Sequence, residues 1–566
     1  MMGSRKNTSA RDSTGIAGIS LAFTALVLLT SLLPALYDIL MSVKEYTPFK
    51  GFFNSPNVGL ANYQKFFNSF YFSKLLSNTI VQSLLFSLFL FLISVILGSI
   101  VVSLPSRSIL GNVIITLALI PAFIPDVVYV SWFMNLQLQI KPFLMPNIAV
   151  WFIPLIRAMK YAGIPILMAS IIYEIRGKKN YLLPLQAGAC FALFSIMFIT
   201  INDITISFLA VNPLIYEVID SFNLFTYRSG LVNGEYSYAA AITVISRLLC
   251  LISVAIFFIP FKMLAKNLFG RNLLEKNFSG EHLSESNLTE SNLSESTLTS
   301  EATINASSEN QPSVNYWKQL LPTATAISIV IVLILAALPL MIKNINIFDS
   351  KAISMVFQNS DALSSFPLYL FISLLAASAN VGLFAILAYP IVCGRKILRR
   401  ISIGLMLLIA ISVSAPISVG TYILFRSLGM INTTYGVLLP LIFPTAGVWA
   451  FVAIANSQGV PENMEYIRAI SKPSIALILV QMVYNLNNFL PSLIYITDRK
   501  LFSPALMYRE LALVGGEAVR QLPQYDAMIF WYGVILSIIP VGILVVLRTR
   551  LTKTSLFSIL GMAQRK

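Results

Sequence analysis

Residues 79–104 read TIVQSLLFSLFLFLISVILGSIVVSL, a run with no charge and with apolar side chains on every face of a helix. A helix needs roughly 20 mostly apolar residues to cross the hydrocarbon of a bilayer, where backbone polar groups find no water and must bond within the helix. This run is long enough. Comparable runs recur at 16–42, 109–136, 149–175, 182–211 and 238–261, and again at 320–342, 366–393, 401–425, 437–456, 473–496 and 527–547. The expected fold class is all-α, a polytopic membrane protein of about twelve transmembrane helices in two halves of about six.

Composition agrees. Of 566 residues, 57% are hydrophobic and only 11% charged, with a mean hydropathy of +0.79, whereas a soluble domain is about one-quarter charged. Arg5, Lys6 and Arg11 precede the first run as they would in a signal peptide. That run is too long and lacks a small-residue cleavage site, so it is expected to remain as a span. Cys190, Cys250 and Cys393 lie in or at the edge of apolar runs without metal-like spacing, and are expected to be small buried residues.

The net charge is +15. Basic residues cluster in the N-terminal tail, at Arg176, Lys178 and Lys179, at Lys262, Lys266 and Arg271, at Arg395, Lys396, Arg399 and Arg400, and at Arg548, Arg550 and Lys553. The positive-inside rule makes these segments cytoplasmic. The expected location is the bacterial plasma (inner) membrane, multi-pass, with both termini cytoplasmic and loops near 43–78, 212–237, 344–365 and 498–525 outside. Basic residues spread over many loops point to topology and contact with the lipid bilayer, and away from nucleic acid.

From about 280 to 315 the composition turns to Ser, Glu, Thr and Asn, with a short repeat: HLSES, NLTES, NLSES, TLTSE. Such a segment cannot bury a core. The expected division is a membrane half at 1–271, a disordered Ser/Glu-rich cytoplasmic linker at 272–315 and a second membrane half at 316–566. Duplicated halves are a recurring plan of transporters, because a pathway can form between them.

Arg157, Lys160, Asp203 and Arg247 fall inside apolar runs, where an uncompensated charge costs roughly 2.5 kcal/mol or more. Each should face a partner or a watery cavity; the blander alternative is snorkelling or a structural ion pair. Arg157 and Lys160 stand one turn apart, towards the outer part of their helix. Asn202 and Asp203 lie deep in the next run, and Asn485, Asn487 and Asn488 place three amides around the eleventh. Amides can bond sugar hydroxyls or merely join helices, and the first use is preferred. The candidate substrate pathway therefore comprises Asn202, Asp203, Asn485, Asn487, Asn488, Arg157 and Lys160. No Ser-His-Asp set, metal cluster, Walker motif or Gly-rich nucleotide loop occurs, and the sole histidine, His282, is in the linker. No enzymatic activity, catalytic residue, metal or cofactor is expected.

The loops carry a resemblance. The stretch 46–79, YTPFKGFFNSPNVGLANYQKFFNSFYFSKLLSNT, resembles the first outside loop of carbohydrate ABC importer permeases, with GL-x-NY-x-x-F and a later NT. The stretch 212–242, NPLIYEVIDSFNLFTYRSGLVNGEYSYAAAI, is similar to the polysaccharide-type branch. In the second half GMINTTYGVLLP (429–440) and LIYITDRKLFSPALMYREL (493–511) resemble the partner permease of that branch. The chain thus looks like two permease subunits fused by the linker. The resemblance implies helices around a central pathway, a sugar-like solute, an extracellular or periplasmic sugar-binding protein and cytoplasmic ATPase subunits. It also implies that Asn487 stands at the Asn of the family's WN dipeptide, with Leu486 in place of Trp.

The chain departs from the family at its coupling loops, where an EAA-x-x-x-G helix should sit in a cleft of the ATPase. LMASIIYEIRGKKNYLLPLQAG (167–188) has about six hydrophilic residues between two runs, and GVPENMEYIRAISKPSIALI (459–478) passes from EYIRA straight to SKPS. A loss of about fifteen residues at each site removes on the order of 20 Å of helix. ATPase contact would then fall to Glu174, Arg176, Lys178, Lys179, Pro461, Glu462, Glu465 and Arg468. The expected function is a membrane permease subunit of an ABC-type importer for an oligosaccharide or related polyhydroxylated solute. The alternative is a permease-derived receptor or scaffold for a sugar-binding protein without ATP-coupled transport.

Overall fold

The computed structural model describes residues 3–104, 109–135, 142–176, 182–199, 205–269, 350–358, 363–394, 396–412, 417–442, 446–457, 463–514 and 523–547. Among them the regular structure is helical, apart from one antiparallel bridge between Lys44 and Asn57. The expected linker, the run 320–342, Asn202, Asp203, Lys178, Lys179, Pro461 and Glu462 lie outside the described residues, as do the side chains of Glu174 and Arg176.

With residues up to 269 taken as the first half of the chain and those from 350 on as the second, the first half opens with α1 (Gly3–Ser42), two short helices α2 (Gly51–Asn54) and α3 (Ala61–Phe67), and the long α4 (Phe70–Ser103). α4 contains nearly all of the run 79–104 and stops at Leu104, whose extended backbone suits the residue before Pro105. Its faces are sorted inversely to those of a soluble helix. Gln82, Ser83, Ser87, Ser94 and Gly98 turn inward, while Leu84, Leu88, Leu92 and Ile96 stay exposed. In lipid, outward apolar side chains cost nothing, and small or hydroxylated residues let neighbouring helices approach and bond, as Ser87 does with Ser195 at 2.7 Å.

The half continues with α5 (Ile109–Phe123), α6 (Asp126–Asn135), α7 (Pro146–Tyr161), α8 (Gly163–Arg176), α9 (Leu182–Phe194), α10 (Thr205–Ala210), α11 (Tyr216–Ile219), α12 (Phe222–Thr226) and α13 (Tyr236–Phe269). The second half comprises α14 (Ser350–Gln358), α15 (Phe366–Val392), α16 (Lys396–Ser412), α17 (Val419–Ser427), α18 (Thr434–Leu438), α19 (Ala446–Ser457), α20 (Asn463–Asn487), α21 (Leu490–Tyr495), α22 (Pro504–Arg509) and α23 (Pro523–Val546).

Six described helices are long and apolar enough to cross a membrane: Phe70–Ser103, Pro146–Tyr173, Tyr236–Ala265, Phe366–Val392, Glu465–Asn487 and Tyr525–Val546. Counting α5 with α6 as one broken span makes seven. Several runs that read as continuous are interrupted. The run 109–136 bends by 100° between α5 and α6, where Pro125 lacks the amide to continue the ladder. The run 182–211 passes from α9 into a π-helical turn, Ser195–Ile199, and α10 covers Thr205–Ala210 near its end. The runs 401–425 and 437–456 are likewise divided, into α16 with α17 and into α18 with α19.

In the first half α4 packs against α7, α8 and α9, and in the second α15 packs against α19 and α20. The halves also interlock. α1 packs along α13 of its own half and also along α15, α16 and α17, and its Val27 joins the core formed by Phe384, Tyr389 and Phe451. In return α23 packs against α5, and a single apolar cluster joins Phe86, Val128 and Tyr129 to Phe489, Tyr508 and Tyr532.

Candidate functional site

The break between α5 and α6 lies where the two halves meet. A helix leaves its last carbonyls without partners, and in apolar surroundings those groups must be bonded by something else. Here Phe123 O accepts from Asn487 Nδ2 of α20 at 2.9 Å, and Ile124 O accepts from Lys160 Nζ of α7 at 2.7 Å. Lys160 also pairs with Asp126 Oδ1 at 2.5 Å and lies 5.2 Å from the Tyr129 ring centre. The arrangement complements both helix ends: the cation faces the negative C-terminus of α5, and the carboxylate sits in the first turn of α6.

Lys160 and Arg157 are each 2% exposed and lie near the middle of the Pro146–Tyr173 span rather than towards its outer part. The Arg157 guanidinium lies 4.5 Å from the centre of the Phe86 ring. Sequence reasoning marked Lys160 as needing a partner but missed Asp126. The signal was present in Pro121, Pro125 and the acid that follows them, the pattern of a helix that stops and restarts.

The three amides of the eleventh run part company. Asn485 accepts from Gln481 at 3.0 Å and donates to Ser373 O of α15 at 3.2 Å, within its own half. Asn488 accepts from Leu490 N at 3.2 Å, at the start of α21. Only Asn487 among them reaches across to the first half, and its Oδ1 is buried without a hydrogen-bond partner. Beside it lies a cavity of about 10 Å³ between Pro125, Phe366, Pro504 and Pro540. That space is large enough for about one water.

A second junction sits on α1. Asp38, wholly buried, accepts from Gly420 N and Ser418 Oγ, both at 2.6 Å, and pairs with Arg247 of α13 at 2.7 Å. Ser418 caps α17 by accepting from Thr421 N, so the carboxylate is seated at that helix's positive end. A Cβ on Gly420 would fall 2.5 Å from Pro34 O, so only glycine permits this approach of α17 to α1. Sequence reasoning named Arg247 and missed Asp38, Ser418 and Gly420.

A third junction is aromatic. Phe208 of α10 packs on Tyr227 and on Phe489 of the second half, with centroids 5.0 and 6.0 Å apart, and the Arg509 guanidinium lies 5.4 Å from its ring centre. Ser131 of α6 and Tyr508 of α22 share a hydrogen bond of 2.6 Å. Both halves carry a π-helical turn here, Tyr227–Val232, which opens on Tyr227 and Arg228, and Glu510–Val514, which directly follows Tyr508 and Arg509 at the end of α22. That repeated dipeptide was the legible signal.

Near it Arg228 pairs with Asp220 and stacks 4.0 Å from the Tyr216 ring centre. Burial pushes the Asp220 carboxyl up to about 6, against the smaller opposing pull of Arg228, since its Oδ1 is buried with no hydrogen bond. Glu217, exposed, is held below the usual carboxylate range by its hydrogen bond from Lys74.

Of the residues assigned to ATPase contact, Glu465 and Arg468 are exposed on one side of α20, while Tyr466, Ala469 and Ile470 are buried on the other. Tyr466 donates to Ala385 O at 2.7 Å. EYIRA and SKPS form one uninterrupted helix that runs on into the apolar span. In the first half α8 ends at Arg176 and α9 begins at Leu182, leaving 177–181 between them.

No family model matches the chain, and no curated protein matches it.

Proposed function

We propose that this chain is a membrane permease subunit of an ABC-type importer, with about twelve spans in two permease-like halves that carry an oligosaccharide or related polyhydroxylated solute between them. The observation that carries this reading is the bond from Asn487 to Phe123. It joins the halves at a broken helix, and broken helices between paired units are where transporters place their binding sites. Access alternates as the halves part and close around this level. Asn487, Lys160 and Arg157 supply polar groups for hydroxyls once the Phe123 and Ile124 carbonyls are released. Asn202 and Asp203, Asn485 and Asn488 complete the pathway. A sugar-binding protein outside delivers the solute, and an ATPase inside acts through Glu174, Arg176, Lys178, Lys179, Pro461, Glu462, Glu465 and Arg468.

One observation favours a second reading, a receptor or scaffold for the sugar-binding protein. α20 is continuous, and only five residues, 177–181, separate α8 from α9 in the first half. Purification in mild detergent separates the two. An importer brings an ATPase subunit with it and supports oligosaccharide-stimulated ATP hydrolysis in liposomes. A chain that binds a sugar-binding protein but neither retains an ATPase nor supports hydrolysis is a receptor.

A further inference from the structure

The segment after α1 displays aromatic rings on a tightly bonded scaffold. Val58 N donates to Val43 O at 2.8 Å and Glu45 N to Pro56 O at 2.9 Å, closing a clasp around residues 46–55. Inside it, Lys50 N and Gly51 N both donate to Thr47 O, at 3.2 and 3.1 Å, and Ser55 Oγ donates to Gly51 O at 2.6 Å. Gly51 holds φ at 68°, a turn that a side chain would strain. The tip so fixed presents Phe49 and Phe53, 103% and 86% exposed. Two phenylalanines held in the open are out of place in water.

The loop folds back beside α1 instead of standing clear of it. The Phe52 ring packs 4.9 Å from Tyr37, and Phe53 lies 5.4 Å from Phe52. Tyr37 precedes the end of α1 by five residues, so this contact lies about 7 Å back along the helix. Around Tyr37, Leu33, Leu36 and Leu40 are 45%, 48% and 47% exposed. The rings thus continue an apolar helix surface. Lys44 Nζ donates to Phe52 O at 2.9 Å and lies 4.8 Å from that ring's centre, and Lys50 is exposed beside Phe49.

We propose that residues 43–58 form a membrane-interface anchor whose partner is the lipid surface. Phe49 and Phe53 enter the boundary between headgroups and acyl chains at this end of α1, and Lys44 and Lys50 meet the phosphates. Aromatic and basic side chains belong at that depth, where rings are partly dehydrated and ammonium groups stay wet. The inference rests on α1 lying in a bilayer with its C-terminal end at the surface, whatever the chain carries.

The test uses the full chain with Phe49→Cys, labelled with an environment-sensitive dye and reconstituted in vesicles of phosphatidylcholine and phosphatidylglycerol; unsubstituted protein sets the background from native cysteines. The label should emit to the blue of its position in water. Lipids spin-labelled near the glycerol should quench it more strongly than lipids labelled near the chain end, and aqueous iodide should quench it weakly. Phe53→Cys, equally open to substitution, should report the same depth. Iodide quenching as strong as that of free dye, without quenching by either lipid, would overturn the anchor and leave the tip to a soluble partner.

Discussion

Asn487 on α20 donates to the carbonyl of Phe123 on α5 at 2.9 Å, and through that bond the second half satisfies a helix end of the first. Leaving a buried acceptor unsatisfied costs about 1–3 kcal/mol. Asn487→Leu should lower stability in detergent by that order, read from thermal unfolding. If the amide also serves the solute, uptake falls at unchanged membrane levels. Uptake equal to wild type would make Asn487 a joint between helices and no more.

The Lys160–Asp126 pair makes a sharper energetic case, because Lys160 is 2% and Asp126 15% exposed, and solvent offsets little of a lost partner for the carboxylate. Removing one member of a buried pair costs about 3–5 kcal/mol, mostly through the charge left behind. Lys160→Met should show that loss. Asp126→Asn together with Lys160→Met should recover part of it, since no charge is then stranded. The Ile124 carbonyl still lacks its donor, so recovery is incomplete. A double-mutant cycle without coupling would contradict the arrangement.

What the sequence could and could not tell is clear at these two places. Run 79–104 was legible because a span needs only length and absence of charge, and α4 contains nearly all of it. The π-helical turn in 182–211 and the break in 401–425 were not legible, since an apolar run looks the same whether or not its helix is regular. What fixes the new helix start there includes a group from elsewhere, Asp38 of α1, which accepts from Ser418 Oγ and Gly420 N at the start of α17. Lys160 and Arg247 were legible as charges in need of partners, but Asp126 and Asp38 are brought to them only by folding. Asn485, Asn487 and Asn488 looked equivalent, and helix rotation gives each a different neighbour.

Asp220 gives a pH dependence outside the spans. Burial raises its carboxyl from an ordinary 3.8 to about 6, so the folded chain holds a proton that the unfolded chain has released. Stability linked to this group is present in full below 3.8 and is lost as pH rises through about 6. At most about 3 kcal/mol follows from a shift of this size. Asp220→Asn cannot titrate, so the unfolding temperature of wild type should fall relative to it between about pH 4 and pH 7. A constant difference across that range would show that Asp220 titrates normally.

Asp38 differs from Lys160 in what it joins. Lys160 and Asp126 belong to one half, whereas Asp38 and Arg247 of the first half hold Ser418 and Gly420 of the second. Asp38→Asn keeps the side chain's shape but removes the only ion pair described for Arg247, whose Nε and Nη1 are already buried without hydrogen-bond partners. The loss should be about 3–5 kcal/mol, and Arg247→Met added to it should restore part by removing the stranded cation. Part of the loss should also appear as weaker association of the halves. With residues 1–275 and 312–566 expressed as separate chains, Asp38→Asn should lower the yield of one copurified with the other. Lys160→Met should destabilise the first chain with a smaller effect on that yield, because its charged partner lies in the same chain. Equal yields for Asp38→Asn and wild type, with Arg247 still buried, would mean that the wide apolar contact between the halves suffices to hold them together and that this network only positions α17.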